Sequence, residues 1–194
     1  MSENSTLKEL LRTTAKELLQ HKELDKLKVS DICKICNMSR PVFYHYYIDK
    51  YDLVRSIYLD DYQAILMSLS EDVTFEKILF QLLNTVKTNV AFYKHTLISL
   101  ESTTRYNPMR EHLKQIIICY ITRMNQHASL SEQLSFSVDF YCSGIISSIM
   151  EDLIADKSVN ISHLITSVIS CCPAELRRYL KDQAIPVADL TKVH

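Results

Sequence analysis

The chain has 194 residues and a net charge of −1, so its size fits one medium domain or a small module joined to a larger one, and its charge indicates no particular partner. A single Gly and four Pro argue against a strand-rich fold, because such folds use both residues at turns, and they favour long helices. The polar N-terminus does not resemble a signal peptide and no apolar run reaches the roughly 18 residues of a membrane span, so we expect a cytoplasmic protein without a membrane contact.

The first 50 residues begin with a predicted helix. Apolar residues recur at helical spacing from Leu7 to Leu19, and Ser5 or Thr6 is expected to cap this helix. These 50 residues hold nine Lys and Arg against seven Asp and Glu, whereas the rest of the chain holds 13 against 16. The front of the chain is therefore mildly basic and the back mildly acidic.

Two short helices joined by a tight turn come next. The spacing predicts helices over about 29–36 and 40–47. Asn37 is the non-Gly residue best suited to a left-handed turn position, and Ser39 is a favoured helix cap. Pro41 is compatible with the second helix because it lies in the first turn. Behind a longer supporting helix, this arrangement predicts a helix-turn-helix.

The second short helix has the residue types that DNA reading needs. The segment 43–47 holds four aromatic residues and a His, and a helix of two turns cannot bury them all. Phe43 and Tyr47 are expected in the core, whereas Tyr44 and His45 point outward. The alternative is an aromatic-rich amphipathic helix without a ligand. Hydroxyls, cations and short or planar side chains suited to phosphates and base edges occur at Ser39, Arg40, Val42, Tyr44, His45, Tyr46 and Lys50.

The remainder of the chain also has helical periodicity. Pro173 is expected to bend or break the last helix, and the tail after Tyr179 is expected to fray. We therefore predict an all-α protein, with an N-terminal three-helix helix-turn-helix domain at 1–52 and a C-terminal helical bundle domain at 53–194. The predicted helices of the second domain span about 50–70, 75–90, 93–100, 113–127, 135–154 and 160–172.

One of these helices differs from the others. Residues 135–154 are apolar all round the predicted helix, with Asp139 as the only charge before Glu151. Such a helix is covered on every side, which predicts burial against a second copy of the chain. We expect 135–154 and 160–178 to form the dimer bundle. The candidate interface residues are Phe140, Ser143, Gly144, Ser147, Ile165 and Val168.

The cysteines are interpreted as packing residues. In the C-x-x-C pair, Cys36 is expected to fill a small slot between helices beside Ile32 and Ile35, with Cys33 partly exposed. A metal or redox pair is the alternative, as is a redox switch at 171–172. No His pair has the spacing that places two ligands on one helix face, so we expect no metal and no cofactor. No nucleophile–base motif or phosphate loop indicates an enzyme.

Aromatic side chains with a polar tip suit a small-molecule site, although each is equally compatible with an ordinary core. The candidate effector-pocket residues are Tyr62, Phe92, Tyr93, Tyr106, Tyr120 and Tyr141.

The helix-turn-helix segment resembles the signature of the TetR/AcrR family of transcriptional regulators. That signature reads D-I-x-x-x-A-x-x-S in the second helix and F/L-Y-x-H/Y-F-x-x-K-x-x-L through the third. The stretches 92–95 and 140–146 are similar to the Firmicutes-type sensor domains of the same family. The matching residues of the signature are Asp31, Ile32, Cys36, Ser39, Phe43, Tyr44, Tyr46, Tyr47, Lys50 and Leu53.

The resemblance implies two kinds of DNA contact. Phosphate contacts are implied for Ser39, Tyr44, Tyr46 and Lys50. Base contacts are implied for Arg40, Val42 and His45. The full candidate set is Lys28, Ser30, Ser39, Arg40, Pro41, Val42, Tyr44, His45, Tyr46 and Lys50.

The chain departs from the family pattern at three positions. Lys28 stands where a capping Thr is usual, so Ser30 is an alternative cap, and a lysine there can still reach a phosphate. Asn37 replaces Gly at the turn. Val42 replaces a common Thr, which leaves only apolar contact with a thymine methyl group. These departures affect base preference.

The resemblance further implies a mechanism. Two recognition helices of a homodimer would lie about 34–36 Å apart and enter successive major grooves of an operator in double-stranded DNA. A small-molecule effector, unknown here, would release this repressor by favouring a different separation. One alternative is a co-activator or adaptor whose C-terminal domain binds a protein partner. Another is a cysteine-based redox-sensing regulator.

Overall fold

The computed structural model describes residues 3–69, 72–104, 107–125, 130–155 and 160–191. The predicted all-α class, with a three-helix front and a helical bundle behind it, is confirmed. A 3-10 turn spans Leu24–Lys26, and two short strands, β1 (Asp72–Thr74) and β2 (Ala184–Pro186), pair in antiparallel fashion. The helices are α1 (Glu3–Leu19), α2 (Val29–Ile35), α3 (Arg40–Tyr46), α4 (Lys50–Ser68), α5 (Phe75–Thr88), α6 (Val90–Thr104), α7 (Pro108–Met124), α8 (Glu132–Ile154), α9 (Ile161–Ser170), α10 (Ala174–Leu180) and α11 (Val187–Leu190).

The chain forms two compact units. The first contains Met1–Asp60 and Asn89–Asn107, and the second contains Asp61–Thr88 and Pro108–His194. The predicted domain boundary after residue 52 separates a DNA-binding domain from an effector-binding and dimerisation domain, and it stays a prediction.

In the first unit, α6 packs on α1, on the 3-10 turn and on α4. Tyr58 meets the ring of Tyr93 edge-on, with 5.2 Å between centroids, and its hydroxyl lies 2.8 Å from Thr96 Oγ1. The Nδ1 atom of His95 lies 2.8 Å from the carbonyl oxygen of Leu19, the last residue of α1. These contacts place a helix from the middle of the sequence in the unit that carries the helix-turn-helix.

Asn37 makes the turn between α2 and α3, as predicted. Its φ of 51° is left-handed. The backbone N–H of Asn37 donates to Lys34 O at 3.4 Å, and that of Met38 donates to Cys33 O at 3.0 Å. This is the Schellman pattern, which satisfies the last carbonyls of a helix and ends it.

Three predictions about α1 and α2 are wrong. The α1 helix begins at Glu3, so neither Ser5 nor Thr6 precedes it as a cap. The N-cap of α2 is Lys28, so Ser30 lies inside the helix and cannot cap it.

The third error concerns which side of α2 faces inward. Cys33 is buried at 4% exposure and Cys36 is only half-buried, while Ile35 is 58% exposed. The helix is rotated so that Ile32 and Cys33 face the core. Cys36 lies at the edge, where its Sγ is 3.3 Å from Thr14 Oγ1.

In the second unit, α7 packs on α8, α5 packs on α9, and α10 contacts both α7 and α8. The prediction of a frayed tail is wrong. Ile185 of β2 pairs with Val73 of β1 and is 2% exposed, and Leu190 of α11 is fully buried. The tail is ordered because the link before α5 supplies a strand partner about 110 residues earlier in the sequence, a distant pairing that local periodicity does not show.

Within the chain, α8 is buried on one side, and Phe136 and Phe140 are 64% and 68% exposed on the other. The predicted cover of that side by a second copy stays a prediction. The expected helix 160–178 is interrupted, because α9 ends at Ser170 and Pro173 is the N-cap of α10. The expected break at Pro173 is thus confirmed. The predicted helix end near His127 lies outside the described residues.

Among the residues that the structure describes, no helix combines the length and apolarity needed to cross a membrane.

Candidate nucleic-acid interface

The α3 helix begins directly after the turn at Asn37. Ser39 is its N-cap, with extended backbone, and the Ser39 carbonyl accepts the N–H of Val42 at 3.1 Å. The Ser39 hydroxyl is exposed and makes no capping hydrogen bond. Pro41 lies in the first turn, where no intrahelical donor is needed.

The aromatic residues of α3 divide as predicted. Phe43 is fully buried and Tyr47 is 6% exposed, so both belong to the core. Tyr44 is 47% exposed, and His45 is exposed as well. Because nearly half of the Tyr44 side chain is exposed, it does not belong to the core, and the outer face of α3 is accessible to a partner.

Contacts along this face hold its side chains in place. The Arg40 Nη2 donates to Tyr44 Oη at 3.4 Å, and the Tyr44 ring meets Phe43 edge-on at 5.4 Å. The His45 ring meets Tyr46 edge-on at 5.0 Å. The face therefore presents a cation, a phenol and an imidazole that are each supported by a neighbour.

Lys8 is a basic residue that the sequence reasoning did not single out. It is exposed on α1, and its Nζ lies 6.0 Å from the centroid of the Tyr46 ring. No motif marks it, because its place beside α3 depends on how α1 packs.

The start of α2 adds two further candidates. Lys28 and Ser30 are both exposed there. The backbone N–H of Lys28 donates to Asp31 Oδ2 at 3.4 Å, and Lys22 Nζ lies 2.8 Å from the same oxygen. The hydrogen bond from Lys22 holds the pKa of the Asp31 carboxyl below its usual value. Asp31 thus stabilises the start of α2, where the N-cap residue Lys28 makes no side-chain capping hydrogen bond.

Lys50 is placed differently from the other candidates. Its ammonium donates to three backbone carbonyl oxygens, those of Leu24 at 2.8 Å, Asp25 at 2.9 Å and Leu27 at 3.0 Å. Burial lowers the pKa of Lys50. All ten predicted DNA-binding residues lie in the first unit. The ammonium group of Lys50, however, binds the protein backbone.

The predicted effector-pocket residues are divided between the two units. Phe92 and Tyr93 belong to the first, where they pack with Tyr58. In the second unit, Tyr120 Oη donates to Val73 O at 2.5 Å and Tyr141 Oη donates to Val168 O at 2.7 Å. These two hydroxyls are occupied by the backbone, and burial raises the pKa of both.

Tyr62 is the other described member of this set in the second unit. It is 5% exposed and stacks on His112 with 4.7 Å between ring centroids. Burial raises its pKa. Tyr106 lies outside the described residues, and the grouping of all six in one pocket stays a prediction.

A groove between α8 and α9 is lined by three of the six predicted dimer residues, Phe140, Gly144 and Val168. Its volume is about 270 Å³ and its lining, which includes Phe140 and Gly144, is mainly apolar. Phe136 and Phe140 stack at 6.2 Å on α8, and a Cβ placed on Gly144 would meet no atom within 4 Å. Ser143 and Ser147 are exposed on the same helix. Ile165 and Val168 are already buried within the chain, at 7% and 6% exposure.

The thiols differ in accessibility. Burial raises the pKa of Cys142 to about 12 and also raises the pKa of Cys33 and Cys172. Cys171 is exposed. The described part of the chain holds no group of three or more His, Cys, Asp and Glu side chains arranged to bind a metal ion.

Comparison with known families finds two matches. A family described as "Bacterial regulatory proteins, tetR family" matches residues 11–57, which include α2, α3 and the start of α4. A family described as "Transcriptional regulator C-terminal region" matches residues 73–169, which is half of the 194 residues. No curated protein matches the chain.

Two solved structures are similar over nearly the whole chain. One is the "Dihydroxyacetone kinase operon activator DhaS", with a TM-score of 0.63 and 17% identity over 90% of this chain and 98% of its own. The other is a tetR-family transcriptional regulator from Streptomyces coelicolor, with a TM-score of 0.64 and 15% identity over 100% of this chain and 90% of its own. At these identities the likeness shows a shared fold.

Proposed function

The chain belongs to the TetR family of transcriptional regulators, and we propose that it works as a homodimer that binds an operator in double-stranded DNA through α3. The observation that carries the proposal is the exposed outer face of α3, which carries His45 and the hydrogen-bonded pair Arg40 and Tyr44. A DNA partner implies that the protein works in the cytoplasm, and nothing in this role requires catalysis.

The exposed face divides into residues that position and residues that read. Ser39, Tyr44 and Tyr46 have hydroxyls suited to phosphate oxygens, and Lys28 and Ser30 add a cation and a hydroxyl at the start of α2. Phosphate contacts of this kind fix the register of a protein on DNA without reading sequence.

We assign base contacts to Arg40, Val42 and His45, which lie among the phosphate-contacting residues in the sequence. Arg40 suits the acceptor pair on the guanine edge, His45 suits a single acceptor, and Val42 suits a thymine methyl group. Pro41 sets the backbone of the first turn so that these side chains project together.

The dimer is proposed to form through the outer face of α8. Exposed aromatic pairs such as Phe136 and Phe140 are rare on a monomer surface and are favoured anchors of interfaces. In a two-fold interface the same patch meets itself, so Phe140 of one copy can enter the groove at Gly144 and Val168 of the other. Ser143 and Ser147 allow the two α8 helices to approach closely.

The regulatory mode is proposed to be repression relieved by a small-molecule effector. An effector changes DNA affinity only by as much as it prefers one separation of the recognition helices over another. Tyr62, a buried aromatic side chain of the second unit, is proposed to contribute to the apolar wall for such a ligand.

Activation through a protein partner is the second candidate. It is supported by the similar structure named as an operon activator and by the exposed pair Phe136 and Phe140, which a partner could cover as well as a second copy. Sedimentation of the purified chain shows what covers this pair: a dimer assigns it to a second copy, and a monomer leaves it to a partner.

The DNA-binding role is tested by selecting bound duplexes from a random-sequence library and measuring affinity across salt concentrations. We expect a specific operator to emerge. Lys28→Ala should weaken binding to all sequences and reduce the slope of log affinity against log salt by roughly 0.9, because one phosphate contact is lost. Lys87→Ala on the exposed side of α5 is the matched control and should leave both unchanged.

Base reading is tested by repeating the selection with His45→Ala. The variant should bind with a changed preference at one position of each half-site, since a residue that contacts a base edge carries sequence information. An unchanged selected sequence would remove His45 from the reading face.

The regulatory mode is tested by footprinting the protein on DNA around its own gene, with and without cell extract. Loss of the footprint with a small-molecule fraction of the extract supports relief by an effector. A footprint that requires a protein fraction supports the second candidate.

A further inference from the structure

Lys50 uses all of its hydrogen-bond donors within the protein. An ammonium group has three N–H donors. Three carbonyl oxygens, those of Leu24, Asp25 and Leu27, lie between 2.8 and 3.0 Å from Lys50 Nζ. No donor remains for a phosphate unless one of these bonds breaks.

The three carbonyl oxygens form a cluster of partial negative charge that a cation stabilises. They belong to the 3-10 turn Leu24–Lys26 and its C-cap Leu27, where the last carbonyls of a helical turn carry partial negative charge. The carbonyl of Leu24 also accepts the N–H of Leu27 at 3.2 Å. Leu27 directly precedes Lys28, the N-cap of α2. Lys50 therefore ties the first residue of α4 to the residues that directly precede α2.

The link from α3 to α4 is short and internally bonded. Asp49 Oδ1 accepts the N–H of Asp52 at 2.7 Å, and Asp52 Oδ2 accepts the N–H of Ile48 at 3.0 Å. Since α3 ends at Tyr46, a shift of the first turn of α4 is passed to α3 with little slack.

A second contact supports the same junction. Tyr51 Oη donates to Asp25 Oδ1 at 3.4 Å, next to the carbonyl of Asp25 that Lys50 binds. The junction between the 3-10 turn and α4 is thus held by neighbouring side chains of one helical turn. Lys50 is half-buried at this junction, and burial lowers its pKa.

We propose that Lys50 is a positioning residue, which sets the orientation of α3 relative to the start of α2, and that it is not a phosphate ligand. The inference rests on the proposed function in one respect, because the helix that Lys50 positions is the one assigned to DNA reading. It assigns the residue differently from the resemblance, which implied a phosphate contact.

The unaltered protein gives the first test. Lysines are acetylated under mild conditions and their rates are measured by mass spectrometry, with and without random-sequence duplex DNA at low salt. Without DNA, Lys50 should react much more slowly than Lys26, which is 69% exposed, and DNA should slow Lys28 but not change Lys50. A Lys50 that reacts as fast as Lys26 alone, and is protected only by DNA, overturns the proposal.

This design separates the two proposals. The rate without DNA tests the position of Lys50 whether or not the protein binds DNA. If DNA protects no lysine and no complex forms, the proposed function fails while the assignment of Lys50 stands on its own.

Substitutions give the second test, with Lys26→Met as the matched control. Both Lys50→Met and Lys50→Arg should lower the DNA affinity of the folded protein by about tenfold or more, because neither side chain can donate from one atom to three converging carbonyls. The slope of log affinity against log salt should stay within about 0.3 of the unaltered value, whereas loss of a phosphate contact changes it by roughly 0.9.

Retention of full affinity by Lys50→Arg overturns the proposal, since a guanidinium is an excellent phosphate ligand. A purely structural role would lower the free energy of unfolding and leave the affinity of the folded protein unchanged, and this result also contradicts positioning. Affinity is measured well below each variant's unfolding temperature. If a variant does not fold, the acetylation rates of the unaltered protein decide.

Discussion

Asn37 sets the geometry between α2 and α3 because its backbone is left-handed, with a φ of 51°. An Asn tolerates this region better than other residues with a Cβ, and Gly tolerates it without cost. The residue type at this one position therefore predicted both the end of α2 and the turn that follows. The same reasoning could not find Asp182, which has a φ of 56° after α10, because the tail was expected to fray.

We predict that Asn37→Ala lowers the free energy of unfolding by about 1 kcal/mol, since the Cβ of Ala is strained in the left-handed region. Asn37→Gly should leave it unchanged or raise it slightly. Urea unfolding followed by circular dichroism measures both. Equal stability of the Ala and Gly variants would contradict the strained turn.

The thiols allow the redox alternative to be tested at the residue scale. Cys142 is buried and its pKa is raised to about 12, so almost none of it is thiolate at neutral pH. We predict that iodoacetamide modifies the exposed Cys171 first and Cys142 last, as measured by mass spectrometry over time. Fast modification of Cys142 in the folded protein would contradict its burial and reopen a redox role for it.

At the scale of elements, local signals predicted the helices well and the tail poorly. Ser39 and Pro41 mark the start of α3, and Pro173 marks the break before α10, because caps and prolines act on their own neighbours. The pairing of Ile185 with Val73 joins residues far apart in sequence, so no local pattern predicts it.

Orientation was harder to predict than the position of a helix. The α2 helix was placed within one residue of its observed end, yet Cys33 rather than Cys36 is the buried cysteine. A helix of seven residues has too few apolar positions to fix which side faces inward. The same limit applies to Lys50, whose place in the motif was visible but whose three carbonyl partners were not.

We predict that Ile185→Ala lowers the free energy of unfolding by about 2–5 kcal/mol, the usual range for removing a buried aliphatic side chain. Ile185 is 2% exposed in β2, so the substitution leaves a cavity. Met67→Ala is the control, because Met67 is 83% exposed. Thermal unfolding measures both, and an Ile185→Ala variant as stable as the control would contradict the ordered tail.

At the scale of the whole molecule, the outer face of α8 is the surface on which the dimer depends. Phe140→Glu places a charge on this apolar face, so we predict that it weakens dimerisation by at least about 30-fold, the effect expected of a central aromatic anchor. Met67→Glu is the matched control, since it replaces an exposed apolar residue outside the groove. Sedimentation equilibrium measures the dissociation constant of each.

The outcome for DNA binding follows from the same geometry. A monomer has a single recognition helix, so Phe140→Glu should bind one half-site weakly and lose most of its affinity for the full operator. A variant that remains dimeric, or a monomer that binds the full operator as tightly as the unaltered protein, would contradict a dimer built on α8.

The central claim is that two α3 helices of one dimer read one operator. Hydroxyl-radical footprinting of the selected operator tests this most directly. We predict two symmetric protected segments whose centres lie about 34–36 Å apart along the duplex, the distance between successive major grooves on one face. A single unsymmetrical segment, or no protection at low salt, would contradict it.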